Sequence, residues 1–350
     1  ERKRLTVLKV AVIGAGSWGT ALANVTAEND TCTYLWVRRQ ELADEISETH
    51  ENKPYLPGAK LSSKINISTD LEKVVLQADI VIMAVPSHTV RDMAKKIRGY
   101  LKKDAIVTGA SKGIELNSFK RMSQVLSEEL YQGRKQNIAV LSGPSHAEEV
   151  IRNLPTALVA ASSRQRAAEM VQNALMNCNF RVYTNTDITG VELGGALKNV
   201  IAICSGISDG LGFGDNTRAA LMTRGIVEIT RLGIKLGARP ATFSGLSGIG
   251  DLIVTCSSQF SRNRKAGMDI GRGKTVKEVM ESTNMVIEGI NTTKAAFQLA
   301  QKHEIEMPIT EQAYLVLFEG RDPAIAVNSL MNRVGKYEHE DTISQKFFMC

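Results

Sequence analysis

Hydrophobic residues in the first half of the chain form short runs rich in β-branched side chains, separated by amphipathic stretches. The runs predict strands at Lys9–Ile13, Thr33–Val37, Ile80–Val85, Ala105–Thr108, Ile138–Leu141, Ala157–Ala161 and Phe180–Tyr183. Strands that alternate with helical stretches are the pattern of βαβ units in a parallel sheet. We therefore expect an α/β fold that begins with a doubly wound sheet domain.

The pattern changes beyond about residue 186, where the β-rich runs stop. Helical spacing follows at Asp187–Asp209, Thr217–Leu236 and Ile290–Lys302, and glycine-rich turns interrupt it. This predicts a sheet domain over residues 1–185 and an all-helical domain over residues 186–335. Residues 336–350 lack periodicity, so we expect a mobile or loosely docked tail.

Composition narrows the class of protein. With 350 residues, 43% hydrophobic and 23% charged, the chain is ordinary for a globular protein of two domains. No stretch reaches the ~20 apolar residues that span a bilayer, so we expect no stable membrane insertion. Five scattered cysteines without a CxxC pair indicate reduced thiols and a cytoplasmic location. The sequence has no HExxH motif and no metal-ligand spacing of its cysteines, so it predicts no metal site.

The net charge of +6 raises the question of nucleic acid as a partner. Lysines and arginines are dispersed along the chain, and aromatic residues make up only 5% of it. A nucleic-acid surface would concentrate basic residues with interleaved aromatics. We therefore expect no nucleic-acid partner and interpret the local basic residues as serving a small anionic substrate.

A GxGxxG motif directly follows the first predicted strand and opens a helical stretch. Gly14 permits a tight turn, Gly16 lets a pyrophosphate approach the backbone, and Gly19 lets the strand and helix pack closely. The pyrophosphate then lies at a helix N-terminus, where free N–H groups and the helix dipole favour an anion. An ordinary tight turn is the alternative, but the strand and helix context favours a dinucleotide site.

The end of the second predicted strand bears on the choice of cofactor. An NAD-specific site places an acidic residue there, whereas this strand ends in Arg38 and Arg39, with no acid before Glu41. Guanidinium groups can bind the 2′-phosphate of NADP. We therefore expect NAD or NADP as the cofactor, with NADP at least tolerated. The alternative is that both arginines are solvated surface residues and carry no information about the 2′-phosphate.

Several later segments carry candidate chemistry, and each is ambiguous alone. Lys112 follows a strand, the loop LSGPSHAEE follows another, and Lys198 lies in the apolar run LGGALKNV, where a lysine is costly to bury unless it is paired or catalytic. The cluster SRNR is rich in phosphate donors, although a helix cap with a surface arginine explains it equally well. His88 and His146 are interpreted as structural or peripheral.

The motifs together resemble one family. GAGSWGTALA, NKPYLPG, SKGIE, LSGPSHAEEV, GVELGGALKNVIAI, GLSGIGDLIVTC, SRNRKAG, MVIEG and MPIT follow the order found in bacterial-type NAD(P)-dependent sn-glycerol-3-phosphate dehydrogenase. The resemblance covers roughly Lys9 to Thr310, and GALKN with GDL..TC..S..SRN is specific to that family. Ser247, where the family often has Ala, and the terminal FFMC depart from it.

The resemblance implies a Rossmann-type domain, a helical domain and an active site in the cleft between them. It implies interconversion of dihydroxyacetone phosphate and sn-glycerol 3-phosphate by a cytoplasmic homodimer that supplies phospholipid synthesis. The catalytic residues would be Lys198 as acid/base with Asn199, Asp251 and Thr255. The substrate-binding residues would be Lys112, Gly143, Ser145, Lys198, Asp251, Ser261, Arg262 and Asn263. The cofactor-binding residues would be Gly14, Gly16, Ser17, Trp18, Gly19, Arg38, Arg39, Lys112, Ala147, Arg262, Val286 and Glu288.

Two other functions compete with this interpretation. A β-hydroxyacid dehydrogenase of the 6-phosphogluconate type has a similar plan, but places Asn four residues after the catalytic lysine. Here Asn199 directly follows Lys198, and position 202 is Ala. A dinucleotide-binding sensor without turnover would have no need of Lys198 as a proton donor.

Overall fold

The computed structural model describes residues 7–131, 137–283, 285–335 and 337–338. They divide into two compact units, the first within Glu1–Ser111 and Met122–Ile188, the second within Lys112–Arg121 and Thr189–Cys350. The chain passes from the first unit to the second between Ile188 and Thr189, and Lys112–Arg121 groups with the second unit and not with the sheet. The expectation of a mobile tail falls on residues that, apart from 337 and 338, lie outside the described ones.

The first unit is built on an eight-stranded sheet with strand order β3-β2-β1-β4-β5-β6-β7-β8. The strands are β1 Lys9–Ile13, β2 Cys32–Trp36, β3 Asn66–Ser68, β4 Ile80–Met83, β5 Ile106–Gly109, β6 Ile138–Ser142, β7 Thr156–Ala161 and β8 Phe180–Asn185. Strands β4, β5 and β6 are buried at every position. Continuous burial explains why their sequences are predominantly apolar and do not alternate with polar residues, as in other sheets covered on both faces.

All seven predicted strands are confirmed, each to within about two residues at either end, and two features of the sheet differ from expectation. Strand β3 was not predicted, because its three residues are exposed or half-buried and carry no apolar run. Strand β7 pairs antiparallel with β6, whereas the other pairings are parallel. The connection between β6 and β7 contains one short helix, Ala147–Val150, in place of the longer helix that usually forms the crossover between parallel strands.

Seven helices accompany the sheet among the described residues of the first unit. They are α1 Ser17–Glu28, α2 Gln40–Thr49, α3 Leu71–Val75, α4 Val90–Ile97, α5 Met122–Tyr131, α6 Ala147–Val150 and α7 Gln165–Leu175. The second unit is helical, as predicted. Its helices are α8 Ile188–Gly210, α9 Asp215–Lys235, α10 Pro240–Phe243, α11 Asp251–Ser257, α12 Arg262–Gly271, α13 Val276–Glu281, α14 Glu288–Lys302, α15 Pro308–Phe318 and α16 Pro323–Met331.

Helix α8 is the core of the second unit. Among the described residues it is the one helix long and apolar enough to cross a membrane by length and composition, yet 89% of its most apolar window is buried inside the protein. Its glycines allow neighbouring backbone to approach, since a Cβ on Gly206 would lie 2.0 Å from Arg264 O and one on Gly210 would lie 2.4 Å from Met268 O. Close backbone packing of α8 against α12 therefore depends on these two glycines of α8.

A buried carboxylate fixes the start of α15. Glu228 of α9 is 3% exposed and accepts hydrogen bonds from Ile309 N at 2.6 Å and from Thr310 N at 3.1 Å. These are first-turn N–H groups, which have no partner within the helix. Burial raises the pKa of Glu228 to about 7, although the N–H donors act in the opposite direction. Glu228 therefore caps α15 from a different helix.

Candidate active site

The glycine-rich turn between β1 and α1 has the shape that the motif predicts. Gly14 has a φ of +111°, and a Cβ there would lie 2.8 Å from Ala84 O. A Cβ on Gly19 would lie 1.9 Å from Gly14 O, whereas one on Gly16 would meet nothing within 4 Å. Gly14 and Gly19 are therefore required by the turn itself, and Gly16 leaves open space over the backbone.

The N-terminus of α1 suits an anion. Gly16 is the N-cap and provides no side-chain cap, and the first turn contains no acidic residue. Its free N–H groups and the positive end of the helix dipole can therefore face a pyrophosphate. Within the described part of the chain, Trp18 Nε1 is buried without a hydrogen-bond partner, so this donor is available to a ligand. The turn thus fits a dinucleotide.

A loop from the NKPYLPG motif supports the turn, a role for which sequence analysis proposed no residue. Asn52 is fully buried, and its Nδ2 donates to Ala15 O at 3.0 Å and to Thr20 Oγ1 at 2.8 Å. Ser17 Oγ donates to Tyr55 O at 2.9 Å, so this predicted cofactor residue also holds the loop. The signal in the sequence that could have identified this role was the NKPYLPG motif, which combines an Asn with a proline- and glycine-containing turn.

Arg38 and Arg39 lie just beyond the carboxyl end of β2, and both are exposed. Strand β2 pairs in parallel with β1, with Trp36 opposite Ile13. The arginines and the glycine-rich turn therefore follow neighbouring strands at the same edge of the sheet, which is the ligand-binding edge of open α/β sheets. This placement fits both arginines as contacts for the ribose end of a dinucleotide.

The segment after β6 belongs to the same sheet edge, because β6 runs parallel to β5. Gly143 has a φ of +142°, and a Cβ there would lie 2.8 Å from Leu158 Cα. Ser145 Oγ donates to Gly143 O at 3.0 Å, and Ala147 begins α6. The turn thus requires glycine at position 143, and the side chain of Ser145 stabilises it locally.

In the second unit, a polar cluster forms around a buried lysine. Lys198 of α8 is 6% exposed and Asp251 of α11 is 1% exposed. Lys198 Nζ donates to Asp251 Oδ1 and, at 2.7 Å, to Thr255 Oγ1. Lys112 Nζ donates to the other carboxylate oxygen, Asp251 Oδ2, at 2.6 Å. One buried carboxylate therefore holds two ammonium groups, as the expected polar network requires.

The pKa values of Lys198 and Asp251 in this cluster are both lowered. Burial lowers the pKa of Lys198 to about 7; the Lys112 charge acts in the same direction, and the Asp251 charge opposes both. Burial alone would raise the pKa of Asp251, but Lys112 and Lys198 hold it below its usual range. Burial and the Lys112 charge together outweigh the Asp251 charge, so the net effect is a lower pKa of Lys198. A lysine that titrates near neutral pH is suited to general acid/base catalysis.

A π-helical segment, Leu246–Gly250, runs directly into Asp251. Such segments are rare and frequently occur at functional sites. A Cβ on Gly248 would lie 2.0 Å from Phe243 O, and one on Gly194 of α8 would lie 2.4 Å from Ser247 O. Gly194 of GVELGG and Gly248 of GLSG thus let the π-helical segment pack against the helix that carries Lys198, which brings Asp251 within reach.

Asn199 and Asn263 contact each other. Asn263 Nδ2 donates to Asn199 Oδ1 at 2.9 Å, and Asn263 Oδ1 accepts from Gly289 N at 2.9 Å. Both asparagines are buried, and a Cβ on Gly289 would lie 2.7 Å from Asn199 O. The predicted catalytic Asn199 and the predicted substrate residue Asn263 therefore link α8, α12 and the start of α14.

The N-terminus of α12 carries the remaining candidates. Ser261 is the N-cap and accepts from Arg264 N at 3.2 Å, so the helix-cap interpretation of the SRN triplet holds for the serine. Arg262 is exposed, and its Nη1 donates to Val286 O at 3.3 Å. Arg264 forms an ion pair with Asp209 at 2.6 Å. An anchored helix N-terminus with an exposed arginine is a suitable phosphate site.

The predicted site residues fall into two groups. The first unit contains Gly14, Gly16, Ser17, Trp18, Gly19, Arg38, Arg39, Gly143, Ser145 and Ala147. The second unit contains Lys112, Lys198, Asn199, Asp251, Thr255, Ser261, Arg262, Asn263, Val286 and Glu288. Within each unit most of these residues share hydrogen bonds or one sheet edge. Their individual roles, and the expectation of a cleft site, stay predictions.

A dinucleotide turn together with a buried, carboxylate-bound lysine defines a nicotinamide-dependent dehydrogenase. Models of the NAD-dependent glycerol-3-phosphate dehydrogenase N-terminus and C-terminus match residues 9–168 and 187–328. The chain belongs to this family.

Known relatives cover nearly the whole chain. A glycerol-3-phosphate dehydrogenase (NAD(P)+) from Pelotomaculum thermopropionicum is 54% identical over 333 residues, which is 95% of each chain. The Bacillus subtilis enzyme of that name is 51% identical over 336 residues, covering 96% of this chain and 97% of its own. The crystal structure of glycerol-3-phosphate dehydrogenase from Coxiella burnetii has a TM-score of 0.89 at 38% identity, over 93% of this chain and 99% of that one. The family resemblance is confirmed.

We predict that Gly16→Ala separates cofactor binding from folding. The new Cβ meets no protein atom within 4 Å, and the φ of −75° suits alanine, so thermal stability should match wild type. The methyl group occupies the space that the pyrophosphate needs, so the Kd for NADH should rise about tenfold or more, which corresponds to ~1.4 kcal/mol. Calorimetric titration measures the Kd. Gly99→Ala, which also meets nothing within 4 Å, is the control, and equal Kd values for wild type and Gly16→Ala would contradict the proposed site.

Proposed function

We propose that the chain interconverts dihydroxyacetone phosphate and sn-glycerol 3-phosphate, with Lys198 as the proton donor and acceptor. The observation that carries this proposal is the buried Lys198–Asp251–Lys112 cluster, in which the pKa of Lys198 lies at about 7. A sensor without turnover would gain nothing from such a costly buried group. Family membership supplies the substrate pair.

The reaction needs a hydride and a proton. A nicotinamide dinucleotide held at the glycine-rich turn of Gly14, Gly16 and Gly19 would supply the hydride for reduction at C2 of the ketone and would accept it in oxidation of the alcohol. During reduction, negative charge develops on the C2 oxygen, and the Lys198 ammonium stabilises this charge and then donates its proton to that oxygen. During oxidation, neutral Lys198 removes the hydroxyl proton. The same Nζ atom thus serves both directions.

The neighbours of Lys198 orient and tune it. Asp251 Oδ1 and Thr255 Oγ1 accept from Nζ, which limits the directions in which the remaining Nζ hydrogen can point. Lys112 binds the other oxygen of Asp251 and so prevents this carboxylate from holding the Lys198 proton too strongly. Lys112 also supplies positive charge that favours an anionic substrate. We propose Asn199, through Asn263, as a support for this arrangement.

The substrate phosphate is proposed to bind at the N-terminus of α12. Arg262 provides a planar guanidinium that can bind two phosphate oxygens at once. Ser261 and Asn263 flank it, and the N–H groups of the first turn add partial positive charge. Gly143 and Ser145 are proposed as further substrate contacts and Ala147, Val286 and Glu288 as further cofactor contacts, because the family resemblance assigns them so.

The cellular setting is also a proposal. Reduced cysteines are consistent with the cytoplasm, and the four cysteines among the described residues, Cys32, Cys178, Cys204 and Cys256, are free thiols. Glycerol 3-phosphate is the backbone precursor of glycerophospholipids, so supplying their synthesis is the proposed role. A homodimer rests on the family resemblance alone, and light scattering of the purified protein measures its mass directly.

The hydroxyacid dehydrogenase alternative loses support from the site. Its pattern requires Asn at position 202, where this chain has a fully buried Ala202. The amide beside the lysine is instead Asn199, whose Oδ1 accepts a hydrogen bond from Asn263 Nδ2. A ketopantoate reductase from Ralstonia eutropha matches with a TM-score of 0.56 at 14% identity, and that likeness reflects the fold alone.

We predict opposite pH profiles for the two directions of the reaction. Reduction needs protonated Lys198, so its kcat should fall as the pH rises through about 7, and oxidation needs the neutral amine, so its kcat should rise over the same range. Initial rates with saturating NADH or NAD+ measure both. In Lys198→Met the rates should fall about 10²- to 10⁴-fold and the profiles should lose these limbs. Limbs of the same direction in both reactions would exclude this proton donor.

We predict that Arg262 is the main anchor of the substrate phosphate. An ammonium cannot reproduce the two-point guanidinium contact, so Arg262→Lys should lower kcat/KM for dihydroxyacetone phosphate about ten- to a hundredfold. Lys265→Ala, which removes an exposed charge from the same helix, is the control. Unphosphorylated dihydroxyacetone should be a very poor substrate. Similar kcat/KM values for the two ketones would instead favour the hydroxyacid alternative.

We predict that NADPH serves as well as NADH and that Arg38 and Arg39 recognise its 2′-phosphate. Arg38→Ala/Arg39→Ala should raise the KM for NADPH about ten- to a hundredfold more than that for NADH, since each charge-assisted bond contributes ~1.5–3 kcal/mol. Both KM values must be measured at one salt concentration because of screening. Lys95→Ala/Lys96→Ala removes two exposed charges elsewhere in the same unit and is the control. Equal losses for the two cofactors would identify the arginines as general surface residues.

A further inference from the structure

The segment Lys112–Arg121, which carries Lys112, has its own internal structure. Ile114 and Arg121 form an antiparallel bridge, and Glu115 N donates to Lys120 O at 3.0 Å. Phe119, at the tip, adopts a φ of +56°. The segment is thus a closed loop whose two ends lie side by side. Arg121 is therefore close in space to the residues that follow Lys112.

Two kinds of contact attach this loop to α8. Ile114 is 3% exposed and belongs to the same apolar cluster as Leu193 and Leu197 of α8, with Leu116 and Phe119 packed against that cluster. Apolar contacts of this kind stabilise but are not directional. They hold the loop on the helix without specifying where Lys112 points.

The second contact is directional. Arg121 Nη1 donates to Glu192 Oε2, and the two side chains are only 11% and 9% exposed. Glu192 lies on α8, the helix that also carries Lys198. A buried ion pair costs desolvation energy, and where such pairs are retained they can define a unique geometry. Here the pair joins the loop that carries Lys112 to the helix that carries Lys198.

We propose that Arg121 and Glu192 are positioning residues that hold the Lys112 ammonium against Asp251 and thereby set the charge around the reacting lysine. Neither residue is proposed to touch substrate or cofactor. The inference rests on the proposed function, in which Lys198 transfers the proton. Sequence motifs do not reveal this buried ion pair, because Glu192 of GVELGG and Arg121 are 71 positions apart.

The proposal has an electrostatic consequence. The charged groups that act on Lys198 are Asp251 of α11 and Lys112 of the loop, and Thr255 adds a hydroxyl. If Lys112 withdraws from Asp251, Lys198 loses a repelling charge and gains a larger share of the carboxylate. Both changes raise the pKa of Lys198. A positioning role therefore predicts a shift of the pH profile, which a merely structural role would not cause.

The test begins with Arg121→Met, which keeps the apolar stem and removes the guanidinium. The alkaline limb of dihydroxyacetone phosphate reduction should move to higher pH by up to about one unit. The kcat/KM for dihydroxyacetone phosphate should fall about ten- to a hundredfold, because small displacements of a positioned group are costly. The Kd for NADH should be unchanged. Lys112→Met provides the benchmark, and its limb should move in the same direction by at least as much.

Two further variants separate positioning from stability. Arg121→Met/Glu192→Gln also neutralises the buried carboxylate that has lost the Arg121 guanidinium, so its thermal stability should recover relative to Arg121→Met while the pH shift persists. Arg121→Lys retains the charge and should bring the limb most of the way back to wild type. If Arg121→Met does not fold, Glu192→Gln takes its place, because it removes the charge of the other member of the ion pair and should move the limb in the same direction.

The control breaks another partly buried ion pair. Glu129→Gln removes one carboxylate partner of Arg91 in the first unit, where the Arg91 and Glu129 side chains are 23% and 13% exposed. It should lower thermal stability without moving the limb. The proposal is overturned if Arg121→Met, or Glu192→Gln where Arg121→Met does not fold, loses stability but keeps the wild-type limb and kcat/KM. Failure of the proposed function is a separate result, because wild-type enzyme would then show no limb that Lys198→Met abolishes.

Discussion

The contact between Lys198 and Asp251 is the interaction on which the rest of the site depends. A lysine in the middle of an apolar helix would be strongly destabilising without a counter-charge. One carboxylate compensates both Lys198 and Lys112, and the proposed catalytic role rests on this group of two lysines and one aspartate. Burial lowers the pKa of Lys198 to about 7, so the energetic cost of burial and the proposed catalytic function have the same physical origin.

Small residues make that contact possible. Gly194 and Gly248 let the π-helical segment and α8 approach at backbone distance, and Gly206 and Gly210 do the same for α12. Lys198 and Asp251 come from different helices, so their distance is set by how closely those helices pack. The glycines of the family motifs therefore act through packing in the helical unit, whereas Gly14 acts through backbone conformation in the sheet unit.

Helix N-termini supply the other recurrent feature. The N-termini of α1 and α12 have first-turn N–H groups that suit the proposed cofactor and substrate anions, and at α15 the buried Glu228 carboxyl accepts such N–H groups within the protein. In each case an acceptor outside the helix compensates first-turn N–H groups that have no partner within it. What differs is whether the proposed acceptor is a ligand or a side chain of the protein.

The sequence by itself determined the strands, the helical second half, the dinucleotide turn and the identity of the candidate residues, because hydrophobic period and glycine spacing are local properties. It could not determine that Lys112–Arg121 groups with the helical unit, that β7 runs antiparallel, or that Asn52 supports the glycine-rich turn. The pKa of Lys198 and the Arg121–Glu192 pair also required the tertiary structure. Burial and the meeting of residues distant in sequence are products of packing, and packing is not encoded in any single segment.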